Sequence, residues 1–246
     1  MKNNNRISII IATYNAEKYI KRALESVYNQ DYKNFECIVI DALSKDNTIN
    51  IVKEYRNRGI RYISEKDNGI FDALNKGISI ATGEWIYVLG ADDELLPNGL
   101  TNFFKVENSN SFDIIYGNTI DRYDDGHLRM PHSKDYKLVK YQMFCCHQGM
   151  LMKKQMIDEL GGFNLAYPLE ADFDLTLRAY INKYKFKQID SPIAYFSLQG
   201  ATGTRTDWFD NEHYNILKKN KSTYFPKLVV LYWAIKKYIK KSILKL

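Results

Sequence analysis

Apolar residues along the first ninety positions alternate between two patterns. Short unbroken runs, Arg6 to Ala12, Phe35 to Ile40, Ile60 to Ser64 and Trp85 to Leu89, are too short for helices and rich in β-branched or aromatic residues. They read as strands, and the β-branched and aromatic runs at both ends as strands buried on both faces. Between them the apolar positions take helical spacing. Ala16 to Asn29 places Tyr19, Ala23, Leu24 and Val27 together. A second helix runs through Arg56 behind the turn and cap residues Ser44 to Thr48, and Ile70 to Ala81 carries Leu74, Ile78 and Ala81 on one face. Three strand–helix alternations in succession predict an α/β fold built on a parallel sheet.

Each predicted strand ends in polar residues: Thr13 and Asn15, then Asp41, then Lys66 to Asn68, then Asp92 and Asp93. In open α/β sheets ligands sit at the carboxyl ends of the strands. Two adjacent carboxylates repel each other unless a cation or ligand donors compensate. Oxygen-only ligands suit Mg²⁺ or Mn²⁺. A solvated turn capping the helix after Pro97 is the alternative for that pair.

The second half is less regular. Leu100 to Val106 reads as a helix, Phe112 to Asn118 as a strand, and Asp121 to Lys134 as a hairpin or mobile loop. Met150 to Leu160 suggests a strand passing into a helix that stops at Gly161-Gly162. Leu169 to Tyr184 is a helix with Glu170, Asp172 and Asp174 near its start, a placement the helix dipole favours by itself. Ile193 to Leu198 is another strand, followed by a loop of small residues from Gly200 to Asp207. His147, before the Met150 segment, is either a contact to a ligand or a satisfied structural histidine.

Composition adds little except through charge. The 246 residues suit one large α/β domain or one domain with a tail. Polar Met1 to Arg6 lacks the apolar core of a signal peptide, no apolar stretch is long enough to span a bilayer, and three cysteines suggest a reducing cytosol. Beyond His213 there are nine lysines and no acidic residue, and setting those nine aside leaves 26 of the 35 basic residues against 29 acidic ones. Charge therefore belongs to the tail, and the body offers no basic groove for nucleic acid.

Six stretches carry a resemblance: Ser8 to Asn15, Ile38 to Thr48, Ser64 to Gly77, Ala81 to Ile86, Asp92-Asp93 and Ala171 to Arg178. In order and spacing they resemble the family-2 glycosyltransferases over roughly residues 6–200. The resemblance implies a GT-A fold, a Rossmann-like, mostly parallel sheet flanked by helices; the C-terminal helical tail is read from the chain's own pattern. It implies inverting, metal-dependent transfer of a sugar from a nucleotide-sugar donor, a UDP-sugar first among them. Residue by residue, Thr13 and Asp41 would contact the nucleotide base, with Asn15 beside them. Asp92 would bind ribose or sugar, Asp93 would hold Mn²⁺ or Mg²⁺, and Asp172 would be the catalytic base, with Asp174 and then Glu170 as rivals. Lys66, Asp72 and Asn75 fall within the third stretch and are either donor-site residues or solvated helix polarity. Arg205 would clamp phosphate on closure. The family's metal motif is often Asp-x-Asp, whereas here Gly90 and Ala91 precede the pair.

The implied organisation is a catalytic domain over 1–220, with a donor half (1–120) and an acceptor half (121–220), then a basic amphipathic helix over 221–246. The expected acceptor is a saccharide or a polyprenyl-linked one, used in building surface polysaccharide or oligosaccharide at the inner face of the cell membrane. A nucleotide-sugar-binding protein without turnover is the alternative. An oxidoreductase would need Gly-x-Gly-x-x-Gly after the first strand, and Thr13 to Glu17 contains no glycine. A processive synthase is disfavoured because Arg205 and Trp208 are not adjacent. In the tail, Leu228, Leu231, Tyr232, Ile235, Tyr238 and Ile239 follow helical spacing, with Lys236, Lys237, Lys240, Lys241 and Lys245 on the opposite arc. That pattern suits a helix lying on anionic lipid or one packed on the domain with a solvated lysine face.

Overall fold

The computed structural model describes residues 5–198, 207–223, 226–232 and 235. The first strand, β1 (Ile7–Thr13), lies inside the sheet with every apolar residue but Ala12 fully buried. Its two faces feed different cores. Ile7, Ile9 and Ile11 pack under α1 (Ile20–Tyr28), α2 (Thr48–Glu54) and α4 (Gly99–Phe104). Ile10 packs under α3 (Ile70–Ile80), α5 (Lys154–Glu159) and α6 (Ala171–Ile181). Each such isoleucine contributes roughly 1.5–3 kcal/mol through burial, and helices on both faces are why the strand shows no polar alternation.

β1 pairs in parallel with β2 (Phe35–Asp41) and β4 (Trp85–Val88), and β2 pairs in parallel with β3 (Arg61–Ser64). Their carboxyl ends therefore share one edge. The next strands are β5 (Glu94–Leu95), β6 (Ile114–Arg122), β7 (Leu128–Arg129), β8 (Met150–Lys153) and β9 (Phe186–Ser197). The sheet runs β3-β2-β1-β4-β8-β6-β9-β5, with β7 beside β6. The long ladders are parallel, and direction reverses only at short β8, β5 and β7. A further helix, α7 (Asp207–Lys219), closes over the start of α6.

At the amino edge, Ser8 interrupts the apolar run for a reason. Its Oγ donates to Glu36 Oε1 (2.6 Å) and accepts from Gly83 N (2.9 Å). Thr82 donates to the same carboxylate through N and Oγ1 (2.6 and 2.8 Å), and Arg61 pairs with its other oxygen (2.8 Å). Gly83 must lack a side chain, because a Cβ would sit 2.7 Å from Ser8 N.

β6 runs on to Arg122, past the expected end at Asn118, and two further boundaries differ for a visible reason. The first helix begins at Ile20 and not Ala16, because Ala16 N and Glu17 N donate to Thr48 Oγ1 and Asp46 Oδ2 (2.8 and 3.0 Å), which hold the chain in a turn. β9 begins at Phe186 rather than Ile193. Its first half pairs only with β6, so Lys187, Gln188 and Asp190 stay polar, and an irregular register near Pro192 hides the strand from the pattern.

Candidate active site

The site occupies the carboxyl edge. Thr13 and Asp41 are register partners at the tips of β1 and β2, both buried. Asp41 Oδ2 accepts from Ser64 Oγ at the tip of β3 (2.6 Å) and from Ser44 N (3.1 Å), while Oδ1 accepts from Ser44 Oγ. The carboxylate is thus fixed by neutral donors. Thr13 Oγ1 is buried with no hydrogen-bond partner among the described residues. Asn15 adopts φ 49°, a left-handed conformation that asparagine tolerates. Its Oδ1 accepts from Lys45 N and its N donates to Ser44 Oγ, both at 2.8 Å, which stitches the loop after β1 to the loop after β2.

Three of the expected donor-site residues lie around α3. The Lys66 side chain is exposed. Asp72 Oδ2 accepts from Asn68 N and Nδ2 (2.9 and 3.2 Å) and faces Lys76 Nζ at 3.6 Å, so it braces the turn leading into the helix. Asn75 exchanges two hydrogen bonds with the Phe163 backbone. Both groups are engaged within the protein.

The acid pair follows β4. Asp93 is 2% exposed and its Oδ1 accepts from Ser197 N at the end of β9 (2.7 Å). Burial first, then the charge of Asp92, pushes its carboxyl up to about 7. Asp92 is also raised, by burial. Gly90 leaves room for both, since a Cβ there would lie 2.3 Å from Asp93 Oδ2. Among the described residues no arginine side chain pairs with either carboxylate: Arg22 and Arg122 both bond to Glu94, and Arg22 reaches the Asp92 carbonyl (3.3 Å), its charge only partly offsetting the burial of Asp92. The Gln148 side chain reaches Asp93, its Oε1 accepts from Cys146 Sγ (2.8 Å), and its carbonyl accepts from the Tyr87 hydroxyl (2.7 Å).

Three acids begin α6, and their partners separate them. Buried Glu170 faces His213 Nδ1 at 3.1 Å, and burial pushes its carboxyl up. Asp174, 1% exposed, takes Arg178 Nε (2.7 Å) and Asn220 Nδ2 (3.2 Å). Asp172 is partly exposed, its Oδ1 accepts from the adjacent Phe173 N (2.8 Å), and no cation pairs with it among the described residues. The Cys146 thiol, raised by burial, is raised further by the charges of both Asp93 and Asp172. One partly buried thiol therefore feels both Asp93, after β4, and Asp172 of α6. Burial lowers the pKa of the His147 imidazole beside it against the charge of Asp172, its ring meets Phe163 edge-on (5.6 Å, 71°), and its Nε2 has no partner among the described residues.

Arg205 lies outside the described residues. Sequence reasoning passed over Ser197, Gln148, Cys146 and His213. Ser44 and Ser64, which hold Asp41, were visible inside the matching stretches, whereas nothing local marks His213 as the partner of Glu170.

Residues 8–172, from β1 through Asp172, match the model of Glycosyl transferase family 2. The chain belongs to that family. This glycosyltransferase is 32% identical over 181 residues to the PGL/p-HBAD biosynthesis glycosyltransferase of Mycobacterium bovis, covering 71% of this chain and 70% of the relative. It is 31% identical over 197 residues to an uncharacterised glycosyltransferase of Methanocaldococcus jannaschii, covering 75% and 68%. Among solved structures it superposes on Staphylococcus aureus TarS with a TM-score of 0.70 at 21% identity, covering 87% of this chain and 65% of TarS residues 1–349, just under two thirds. The mannosyltransferase PcManGT of Pyrobaculum calidifontis gives a TM-score of 0.65 at 18% identity, with 87% and 62% covered. These likenesses place the glycosyltransferase in the GT-A fold.

Proposed function

We propose that this glycosyltransferase moves one hexosyl unit per encounter from a nucleotide-sugar donor, a UDP-sugar by first choice, to a hydroxyl of a saccharide or polyprenyl-linked acceptor, with inversion. The TarS structure holds UDP, and PcManGT holds GDP-Man and Mn²⁺, which supports the donor class. In this reading the donor half spans 1–120 and the acceptor half 121–220. Thr13 Oγ1 and Asp41 read the base, with Asn15 and Lys66 at the rim and Asp92 on ribose or sugar. A lipid-borne acceptor implies work at the inner face of the cell membrane.

A divalent cation fits the Asp92–Asp93 pair. Two carboxylates with no ion-pair partner among the described residues, one of them raised to about 7 by burial and its neighbour, are a donor set that a cation relieves. No third His, Cys, Asp or Glu joins them in a cluster among the described residues. Asp93 would therefore hold Mn²⁺ or Mg²⁺ with diphosphate oxygens filling the remaining positions, as Mg²⁺ sites commonly do. Such an ion supplies Lewis-acid stabilisation of charge on the departing diphosphate.

Asp172 accepts the proton of the acceptor hydroxyl as its oxygen bonds to the anomeric carbon, and the bond to the diphosphate breaks with its electron pair leaving on oxygen. One displacement with one base inverts that carbon. The observation that carries the reading is the isolation of Asp172: Glu170 and Asp174 are occupied by His213 and Arg178, and Asp172 alone of the three is left for substrate.

Thermal unfolding against UDP-, GDP- and dTDP-sugars, each with Mn²⁺ and with chelator, tests the donor assignment. Metal-dependent protection by one class is expected. Protection by none overturns the donor reading, and protection that persists in chelator overturns the metal.

A further inference from the structure

Beyond α7 the chain turns back on itself, with Ser222 N donating to Leu217 O (3.2 Å), and it is helical again over 226–232 and at Ile235. This second helix has an inner side. Val229 packs against the core that holds Ile216, Leu217 and Phe173, and Val230 is partly buried. Its outer side is apolar too. Leu228, Leu231, Tyr232 and Ile235 are 58, 53, 58 and 50% exposed. Those positions are i, i+3, i+4 and i+7, one stripe along a helix. A solvated surface helix turns polar residues outward, so four large apolar side chains in a row, kept half in water, mark a contact surface.

Charge selects what covers it. All nine residues of ionisable charge beyond His213 are lysines, and Lys236, Lys237, Lys240, Lys241 and Lys245 follow directly after the stripe. Packing stripe against stripe with a second copy would bring two such segments together, like charge against like. A surface bearing lipid phosphates attracts each lysine instead. Tyr232 on the stripe suits the headgroup level, where an apolar ring and a polar tip are both accommodated. Lys236, Lys237, Lys240, Lys241 and Lys245 leave the stripe no apolar run long enough to cross a bilayer, so the contact lies in the interface plane.

We infer that Leu228, Leu231, Tyr232 and Ile235, with the lysines that follow them, dock the enzyme on an anionic lipid bilayer. This surface stands apart from the donor site and does not depend on the transfer reading. Its position has a functional sense. Asn220, in the turn that leads to the docking helix, donates to Asp174 Oδ1 (3.2 Å), one half-turn of α6 from Asp172. Docking holds the start of α6 near the lipid surface.

Flotation of the full chain with phosphatidylglycerol–phosphatidylcholine vesicles, and with phosphatidylcholine alone, tests the inference. Binding to the anionic vesicles is expected, about tenfold or more weaker on neutral ones and weakened by salt. A Leu231→Gln/Ile235→Gln variant and a Lys236→Gln/Lys237→Gln variant should each lose about tenfold in partitioning with an unchanged unfolding temperature. Binding by both variants equal to that of the parent overturns the inference, as does indifference to lipid charge or absence of binding. Sedimentation velocity covers the other occupant. Self-association removed by the stripe variant, with no lipid binding, assigns the stripe to a second copy and also overturns the inference.

Discussion

Asn75 and Phe163 exchange a reciprocal pair of hydrogen bonds across 88 residues of chain, Nδ2 to the carbonyl and the amide N to Oδ1, each 2.9 Å. One side chain thereby ties α3, beneath the carboxyl edge of the sheet, to the turn before α6. Its amide mimics a backbone partner for a segment that has no strand to pair with.

The Asn75→Ala variant should lose roughly 1–3 kcal/mol of stability, because two partly buried backbone groups lose their partner. Donor affinity should hardly change, since both polar atoms already face Phe163. Urea denaturation and donor titration on one preparation separate the two effects. A large loss of affinity at unchanged stability would restore Asn75 to the donor site.

Replacing Asp93 by Asn should remove metal-dependent donor protection and leave the apo fold at least as stable. The amide oxygen can still accept from Ser197 N, and repulsion with Asp92 disappears. Donor and Mn²⁺ titrations indistinguishable from the parent would refute the metal assignment.

The two acids in the first turn of α6 predict different phenotypes. Asp172→Asn should keep donor affinity and stability within about 0.5 kcal/mol and lower turnover roughly 10²–10⁴-fold. Asp174→Ala should instead cost roughly 3 kcal/mol, since it leaves Arg178 without its carboxylate. Wild-type turnover in Asp172→Asn would move the base elsewhere.

Glu36 should make stability depend on pH. Burial raises its carboxyl, but hydrogen bonds from Ser8, Thr82 and Arg61 outweigh that and lower it to about 2 from 4.5. A depressed carboxylate contributes stability above its unfolded value and loses it as pH falls through the folded one. The parent should therefore outlast Glu36→Gln near neutrality, with the gap narrowing from pH 5 toward pH 3. A gap that stays constant in stepped-pH urea melts would show that the carboxylate's charge is not what Ser8 and Thr82 recognise.

Strands β1, β2 and β4 were legible because residues such as Ile10 and Trp85 are buried on both faces and leave unbroken apolar runs. Two-residue β5 and β7 carry no periodicity at all. α7 was missed because what defines it, His213 on Glu170 and Glu212 on the amides of Leu169 and Glu170, joins residues more than forty positions apart. For the same reason Asp172 could be ranked above Glu170 and Asp174 only through resemblance: adjacent acids at a helix start look alike until His213 and Arg178 claim two of them. Asp72 and Asn75 were correctly placed on one helix, but helical spacing says nothing of Asn68 or Phe163, their partners.

The reversal of direction beside β4 bears on how the chain is made. β1 to β4 and their crossovers lie within the first ninety residues, so the parallel half of the carboxyl edge is complete early in synthesis. The far side of β4 is covered only by Met150–Lys153, some sixty residues later. Until then Trp85–Val88, destined for full burial, is an open apolar edge strand. Such edges recruit other chains. A ribosome stalled before Met150 would thus hold a half-built enzyme that is sticky at β4, and chaperone occupancy should peak in that window and fall once β8 emerges.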